Sequence, residues 1–317
     1  MKNDVKFTVI TPVYNGEKFI RATIESVLFH FMSTSIEYIV IDDGSTDSTA
    51  KIINEYNDRI SIITKPNAGQ AEAINDGIQI AAGKYSLVVN ADDPLLSNDL
   101  FGKAAEILEL KPNVVVVYPD WKIIDEQGRE LKRIITQEYS SDELIGNFNC
   151  LVGPGGIFRT ETAREVGGWD SSMKYVPDYK FWLEMSTRGS FQRIPETLAV
   201  WRTHESSLSV GGRSVEMAQE RIKVISDFLQ KYPQKIALSN KALSNAYYRA
   251  AVLTFFDPMI PGRRYLINSM SFDKRNLLSK NKFVILYIIV APQLRRITQI
   301  SPVSRAIMKI ARRVKLT

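Results

Sequence analysis

Apolar and amphipathic segments alternate along the first 118 residues of the chain. Short runs rich in apolar and β-branched residues predict buried strands over 7–10, 36–41, 60–64, 85–89 and 114–118. Apolar residues at helical spacing predict helices over 17–29, 68–82 and 98–110, and a further helix that Asp47 or Ser48 caps and that ends near residue 56. Strands that alternate with helices through short connections predict an α/β fold with a doubly wound, mainly parallel sheet.

Polar residues follow three of these predicted strands within a few positions. They are Tyr14 and Asn15, Asp42 and Asp43, and Asp92 and Asp93. In a doubly wound sheet the carboxyl ends of the strands meet at one edge, where ligands bind. We therefore expect a ligand site at this edge.

Asp92 and Asp93 are adjacent carboxylates at the tip of the predicted strand 85–89, and Pro94 stops its continuation. Their charges repel unless water or a cation neutralises them. Mg²⁺ and Mn²⁺ take oxygen ligands, commonly one or two carboxylates together with substrate phosphates. The pattern fits a metal–diphosphate site, and it also fits a polar turn in which Asp93 helps to start the next helix.

The pattern changes between residues 118 and 209. It predicts a hairpin over 120–132, helices over 161–166 and 178–187, and a strand over 198–201. The glycines of the segment 153–156 predict a loop that can approach a ligand closely. From about residue 215 the pattern is almost entirely helical, with helices predicted over 215–231, 235–256 and 263–278.

Bulk composition is typical of a folded domain, with 44% hydrophobic and 24% charged residues. The single Cys150 excludes an intramolecular disulfide framework and a four-cysteine zinc site, and it is compatible with a reducing compartment. The first residues do not resemble a secretory signal. The longest apolar run, over 283–291, is far shorter than the roughly 20 residues that span a bilayer, so we expect no transmembrane helix.

Charge is distributed unevenly along the chain. Residues 261–317 hold 13 Lys and Arg and one acidic residue, a net charge of +12, whereas the remainder carries −6. This tail indicates an anionic partner, either a membrane or nucleic acid. A helix predicted over 301–317 has apolar residues on one face and basic residues on the other, which suits an anionic membrane surface. A helix that packs on the domain with a solvated basic face is the alternative, and nucleic acid is disfavoured because no aromatic residues are interleaved with the charges.

The chain contains seven sequence motifs: TPVYNGEKFI at 11–20, IDDGSTDST at 41–49, NAGQAEAIND at 67–76 ahead of ADD at 91–93, GGIFRT at 155–160, GGWD at 167–170, PDYKFWLEM at 177–185 and WRTHESSLS at 201–209. In this order and spacing they resemble family 2 of the inverting glycosyltransferases, which have the GT-A fold. The resemblance covers roughly residues 5–210. It implies a glycosyltransferase domain over 1–210, with a nucleotide-sugar part at 1–118 and an acceptor part at 119–210, followed by a helical extension over 211–317.

The resemblance also implies a divalent metal, Mg²⁺ or Mn²⁺. Asp92 corresponds to the principal acid of the family's DxD-like motif, and Asn90 stands where the first acid is usual. Asp93 is expected to support the metal ligand or to contact the sugar. His204 matches a family histidine that approaches the metal and diphosphate, and a neutral imidazole can bind Mn²⁺.

Donor contacts follow from the same resemblance. Pro12 and Tyr14 would offer backbone and an aromatic face to the base, and Asp42 or Asp43 would accept the N3–H of a uracil or thymine ring. An ordinary strand-to-helix turn is the alternative interpretation of these two acids.

The diphosphate is expected near the start of the helix predicted over 68–82. In many relatives an arginine occupies the position of Ile74, so one cation is missing in this chain. Gln70 is expected to contribute in its place, and Arg202 is a second candidate for a phosphate contact.

Asp178 is the candidate general base, since it matches the second acid of the family's Glu-Asp pair, and Pro177 replaces the first. An inverting transfer needs one base, which removes the proton of the attacking hydroxyl. The alternative is that Asp178 only caps the helix after Pro177. Trp169 and Asp170 are expected to line the acceptor site, although Trp169 would also suit the core.

The resulting prediction is a metal-dependent inverting glycosyltransferase with a UDP- or dTDP-linked donor. Its acceptor is expected to be a hydroxyl of a glycan or of a lipid-linked intermediate in cell-surface polysaccharide synthesis. We expect it to act in the cytoplasm, at the cytoplasmic face of a membrane. A non-catalytic sugar-nucleotide binder and a sugar nucleotidyltransferase are the alternatives, and the latter lacks a basic, Gly-rich phosphate loop after the first strand.

Overall fold

The computed structural model describes residues 5–29, 36–97, 99–204, 214–254 and 262–275. Two compact units make up the chain: Met1–Leu144 with Asn149–Gly212, and Ile145–Phe148 with Arg213–Thr317. The helix predicted over 301–317 lies outside the described residues. No described helix is long and apolar enough to span a membrane.

A single eight-stranded sheet forms the centre of the first unit, as far as it is described. The strands are β1 Phe7–Val13, β2 Ile36–Asp42, β3 Ser61–Thr64, β4 Tyr85–Val88, β5 Val114–Ile124, β6 Glu130–Ile134, β7 Ile157–Arg159 and β8 Ser190–Arg202. Their order is β3-β2-β1-β4-β7-β5-β6, and β8 pairs with β5. The first four are parallel, β6 and β7 are antiparallel to their neighbours, and β8 is parallel to β5. The predicted α/β fold with a mainly parallel sheet is confirmed.

Helices of the first unit cover the sheet through their apolar sides. They are α1 Ile20–Phe29, α2 Thr49–Asn54, α3 Gln70–Ile80, α4 Asp99–Leu110, α5 Thr160–Glu165 and α6 Pro177–Met185. All seven residues of β1 are buried. The ring of Phe7 contacts those of Tyr85 and Phe101, at centroid distances of 5.5 and 5.1 Å, so β1, β4 and α4 share one core.

The second unit is helical where it is described. It contains α7 Ser214–Lys231, a 3₁₀ helix Pro233–Leu238, α8 Ser239–Leu253 and α9 Gly262–Phe272. A short π-helix, Asp142–Gly146, leads into its internal segment. Within this unit, Asn245 Nδ2 donates a 2.8 Å hydrogen bond to the carbonyl oxygen of Gly146.

The predicted elements differ from the structure chiefly after residue 118. β7 was not predicted, because three residues are too few for a periodic signal. β8 begins at Ser190 rather than at residue 198, since Arg193 and Glu196 interrupt its apolar pattern and its pairing with β5 is irregular. Near the amino terminus, α1 begins at Ile20 rather than at residue 17, which leaves Phe19 in the preceding turn.

Candidate active site

Hydrogen bonds from backbone N–H groups to side-chain oxygens join the loop after β1 to the loop after β2. The backbone N–H groups of Asn15, Gly16 and Glu17 donate to Ser45 Oγ at 3.0 Å, Thr49 Oγ1 at 2.8 Å and Asp47 Oδ2 at 3.2 Å, respectively. In return, the N–H groups of Thr46 and Ser48 donate to Asn15 Oδ1 at 2.8 Å and Glu17 Oε2 at 2.9 Å. Alternate polar side chains of the GSTDST segment therefore hold the loop that carries Tyr14.

Tyr14 is 52% exposed at the end of β1, whereas Pro12 is buried within that strand. Asp42 ends β2, and its Oδ1 accepts the N–H of Ser45 at 3.0 Å. The group formed by Pro12, Tyr14, Asp42 and Asp43 is called the nucleotide corner below.

Asp43 is buried and organises the loop before α3. Its two carboxylate oxygens accept the backbone N–H groups of Ala68 at 3.0 Å and Gly69 at 2.8 Å. Gly44, with φ +80°, allows this close approach, because a Cβ there would lie 2.8 Å from the backbone nitrogen of Asn67. A carboxylate oxygen that accepts one bond keeps a lone pair, so Asp43 can still accept a ligand N–H.

Asp92 and His204 meet although 112 residues separate them. His204 Nε2 lies 2.8 Å from Asp92 Oδ2, and the side chains are 10% and 28% exposed. The described residues contain no group of three or more His, Cys, Asp or Glu side chains arranged for a metal ion. A carboxylate and an imidazole nevertheless suit an ion that completes its shell with water and substrate phosphates, so these residues fit Mg²⁺ or Mn²⁺.

Asp93 lies behind this pair and is 5% exposed. Its oxygens accept the backbone N–H of Arg202 at 2.6 Å and Asn90 Nδ2 at 3.0 Å. Burial, and secondly the charge of Asp92, raise the pKa of Asp93 to about 8. A cation beside these carboxylates would lower that pKa, because it stabilises the ionised form.

Arg202 is 7% exposed, and its guanidinium donates to three carbonyl oxygens. Nε donates to Asp92 at 2.8 Å, and Nη1 donates to Asp125 at 3.1 Å and Glu126 at 2.9 Å. These bonds hold the Asp92 turn and the tip of the β5–β6 hairpin. Nε and Nη1 are thus engaged within the protein, and a phosphate contact by Arg202 stays a prediction.

Two further side chains, Gln70 and Phe19, lie beside the residues described above. Gln70 Nε2 donates to Asn90 Oδ1 at 3.0 Å, so Asn90 links the start of α3 to Asp93. Phe19 lies between Arg202 and His204, with its ring centroid 5.1 Å from the guanidinium carbon and 5.0 Å from the imidazole centroid. Phe19 was not among the predicted site residues, so sequence reasoning missed this contact. The group formed by Asp92, Asp93, Arg202 and His204 is called the metal corner below.

Asp178 lies on a third element, as the second residue of α6 after Pro177, and is half-buried. The helix is anchored by Tyr179, whose hydroxyl donates to the carbonyl of Leu144 at 2.6 Å. Trp182 is buried, with its ring centroid 6.0 Å from that of Phe158. The glycine loop before β7 packs here, since a Cβ on Gly156 would lie 3.5 Å from the Trp182 indole.

Comparison with known proteins identifies the family. The sequence model described as "Glycosyl transferase family 2" matches residues 8–167, about half of the chain. An uncharacterized glycosyltransferase of Rickettsia prowazekii is 28% identical over 246 residues, which cover 76% of each chain. A UDP-Glc:alpha-D-GlcNAc-diphosphoundecaprenol beta-1,3-glucosyltransferase of Escherichia coli is 25% identical over 72% of this chain and 88% of its own length.

Solved structures support the same fold. TarS 1–349 of S. aureus, in complex with UDP-GlcNAc, aligns with a TM-score of 0.58 and 17% identity over 87% of this chain and 93% of its own. A mannosyltransferase of Pyrobaculum calidifontis, in complex with GDP-Man and Mn²⁺, aligns with a TM-score of 0.58 and 13% identity over 96% and 84%. The chain belongs to glycosyl transferase family 2 and has the GT-A fold.

Proposed function

We propose that this glycosyltransferase is a metal-dependent, inverting enzyme that moves a sugar from a UDP- or dTDP-linked donor to a hydroxyl group. The observation that carries the proposal is the metal corner, where Asp92 and His204 converge at 2.8 Å above the buried Asp93. Asp92 follows β4, at the edge of the sheet where doubly wound folds bind ligands.

Asp92 and His204 would hold the metal. When bound, Mg²⁺ or Mn²⁺ supplies positive charge that stabilises the leaving diphosphate. The Mn²⁺ in the complex of the Pyrobaculum calidifontis mannosyltransferase supports this choice of metals. Gln70 and Arg202 would contact phosphate oxygens, and Asp93 would orient Asp92 or contact the donor sugar.

The nucleotide corner would bind the base. Tyr14 offers an exposed ring, Pro12 offers backbone, and Asp42 or Asp43 accepts the N3–H that uracil and thymine share. The UDP and UDP-GlcNAc complexes of TarS support a uridine nucleotide. A cytosine base, which has no N3–H, would lose this hydrogen bond.

Asp178 would act as the base on the acceptor side. It accepts the proton of the attacking hydroxyl while that oxygen displaces the diphosphate from the anomeric carbon, which inverts the configuration. Trp169 and Asp170 would lie at the acceptor side. The Escherichia coli relative, whose name specifies a diphosphoundecaprenol-linked acceptor, supports a lipid-linked glycan as acceptor in polysaccharide synthesis.

Such an acceptor would bring the enzyme to the cytoplasmic face of a membrane. We assign the chemistry to residues 1–210 and the membrane contact to the extension 211–317, through the basic segment 301–317. Co-sedimentation with anionic vesicles at physiological ionic strength tests this contact. Loss of sedimentation on deletion of 301–317 supports it, and equal sedimentation of both forms contradicts it.

Turnover of a panel of UDP- and dTDP-linked sugars tests the enzymatic proposal. Each donor is incubated with Mn²⁺, Mg²⁺ or EDTA, and release of nucleoside diphosphate is measured. We expect turnover of at least one donor with metal and background release with EDTA. Binding of UDP without turnover of any donor would instead indicate a non-catalytic binder, and synthesis of a sugar nucleotide from a nucleoside triphosphate would indicate a nucleotidyltransferase.

A further inference from the structure

The turn formed by Gly167–Asp170, called the bridge turn here, is held on one side by α3. Asn75 of α3 makes two hydrogen bonds with the backbone of Trp169: its Nδ2 donates to the carbonyl at 2.8 Å, and its Oδ1 accepts the N–H at 2.7 Å. Gly168, with φ +70°, makes room for this pairing, since a Cβ there would lie 2.2 Å from Asn75 Oδ1. Both polar groups of Asn75 are thus engaged with the bridge turn.

The other side of the bridge turn is held by α6. Asp170 accepts a hydrogen bond from the ammonium of Lys180, and both side chains are partly buried. Burial opposes ionisation of Asp170, but bonds from Lys180 and Ser172 outweigh it and lower its pKa to about 2. Asp170 is therefore ionised throughout the neutral range. In addition, the Trp169 ring centroid lies 6.4 Å from that of Phe181.

The helix that precedes the bridge turn is fixed to α3 as well. Arg164 of α5 donates to the carbonyl oxygens of Ile78 at 3.1 Å, Gln79 at 3.2 Å and Ala81 at 2.6 Å. These carbonyls lie at the carboxyl end of α3, where a cation also complements the helix dipole. α5 and α3 consequently form one support, from which the bridge turn reaches α6.

We propose that Asn75 and Lys180 are positioning residues, which act through the bridge turn to fix the position of Asp178 relative to α3. α3 begins with Gln70 on the donor side, and α6 begins with Pro177 and Asp178 on the acceptor side. Neither Asn75 nor Lys180 needs to contact a substrate. This inference rests on the proposed role of Asp178 as the base.

The position of Asp178 matters because the rate of proton transfer depends steeply on the distance and orientation of the base. A base has to lie within hydrogen-bond reach of the hydroxyl it deprotonates. A displacement of about 1 Å at the reacting centre can lower a rate by about 10²-fold. Because Asn75 and Lys180 act in series, loss of either one breaks the connection between α3 and α6, and loss of the second adds little. The other contacts of α6, such as the Tyr179 hydrogen bond, keep the helix folded.

The test uses the full chain with Asn75→Ala, Lys180→Met, the double variant and the conservative Lys180→Arg. Each single loss should lower kcat for transfer by roughly tenfold or more and leave the donor KM within about twofold of wild type. The double variant should be no slower than the slower single variant. Lys180→Arg, which keeps the charge, should recover most of the rate.

Lys103→Met is the matched control. It breaks the ion pair of Lys103 with Glu196, which joins α4 to β8 away from the bridge turn. We expect a kcat close to wild type. Wild-type kcat in Asn75→Ala and Lys180→Met, multiplicative losses in the double variant, or a raised donor KM at unchanged kcat would each overturn the proposal.

Hydrogen exchange separates a failure of this inference from a failure of the proposed function. Asn75→Ala should speed exchange of the α6 amides, although residue 75 lies on a different helix, and should leave the α4 amides unchanged. If wild type transfers no sugar, the proposed function is wrong, and hydrogen exchange alone then tests the connection from Asn75 to α6. Unchanged exchange of the α6 amides overturns that connection, whether or not the enzyme is active.

Discussion

The nucleotide corner and the metal corner are held together in different ways. The two loops that border the nucleotide corner are joined by several hydrogen bonds between segments 30 to 33 residues apart, and most of these bonds are neutral and partly exposed. The metal corner joins segments about 110 residues apart through a few charged, mostly buried groups. Where several neutral hydrogen bonds hold the same loops, losing one of them lowers the free energy of unfolding only modestly. Leaving a buried charge without its partner lowers it much more. Substitutions should therefore have larger effects at the metal corner.

Asp92→Asn should have the largest effect. The amide keeps the shape of the side chain but removes the anionic ligand, so metal-dependent donor turnover should fall to the level measured with EDTA. Release of nucleoside diphosphate at saturating Mn²⁺ checks this. Asp76→Asn, which alters the half-buried partner of Lys65, is the control and should keep wild-type turnover. Wild-type rates in Asp92→Asn would remove Asp92 from the metal site.

Asp178→Asn should lower transfer by about 10²-fold or more, the usual scale for loss of a general base. Donor affinity should stay close to wild type, because Asp178 is proposed to act on the acceptor alone. Transfer at saturating donor and calorimetric titration with UDP separate the two quantities. Asp99→Asn, also in the first turn of a helix, is the control. If UDP affinity collapses while transfer at saturation survives, Asp178 is not the base.

Arg202→Lys should weaken metal binding by roughly tenfold, the lower end of the range for residues that orient a ligand. A lysine ammonium cannot reproduce the planar set of bonds to the carbonyls of Asp92, Asp125 and Glu126. Arg159→Lys is a matched control, since Arg159 likewise donates to three carbonyls, two at the carboxyl end of α4 and one at the start of β5. Both variants should lose stability in urea, but Mn²⁺ affinity should fall only in Arg202→Lys. Equal Mn²⁺ affinity in the two variants would contradict the orienting role.

The contrast between the corners also explains what the sequence could predict. β1 to β4 and α1 to α4 were predicted within a few residues, because their apolar runs are buried and regularly spaced. The pairing of Asp92 with His204 has no local signal and was anticipated only through the family resemblance. The GSTDST segment entered the sequence analysis as part of a family motif and as the source of a helix cap at Asp47 or Ser48. Nothing in it indicated that Ser45, Asp47 and Thr49 hold the neighbouring loop.

The part of the first unit after residue 118 was harder to predict, because tertiary contacts rather than periodicity determine its structure. The three-residue β7 is fixed by pairing with β4 and β5. The first half of β8 carries polar residues and is recognisable only beside β5. Lys180 and Asp170 are ten residues apart in different elements, so their ion pair could not be anticipated. Sequence reasoning placed Trp169 and Asp170 at the acceptor side without revealing what holds them.

Stability of the metal-free protein should depend on pH through Asp93. Its pKa is raised from an ordinary 3.8 to about 8, so between about pH 4 and pH 8 the folded protein keeps a proton that the unfolded chain releases. Stability should therefore fall as pH rises through this window. Asp93→Asn cannot release that proton, and its melting temperature should decline less between about pH 5 and pH 8. Parallel declines for wild type and variant, measured in EDTA, would contradict the raised pKa.

Thr49→Val should have the smallest effect. It tests whether the hydrogen bonds between the two loops beside the nucleotide corner stabilise those loops jointly. The substitution preserves shape but removes the oxygen that accepts the N–H of Gly16, at a cost of about 1–2 kcal/mol in the free energy of unfolding. UDP affinity should fall only a few-fold, since the bonds from Asn15 and Glu17 remain. Ser48→Ala is the control, because the exposed Ser48 side chain makes no capping bond to α2.

Adding Ser45→Ala to Thr49→Val should cost more than the sum of the two single losses, as the loop that carries Tyr14 then loses two neighbouring bonds. Urea unfolding and UDP titration of the four variants measure this coupling, and strict additivity would show that each bond acts alone.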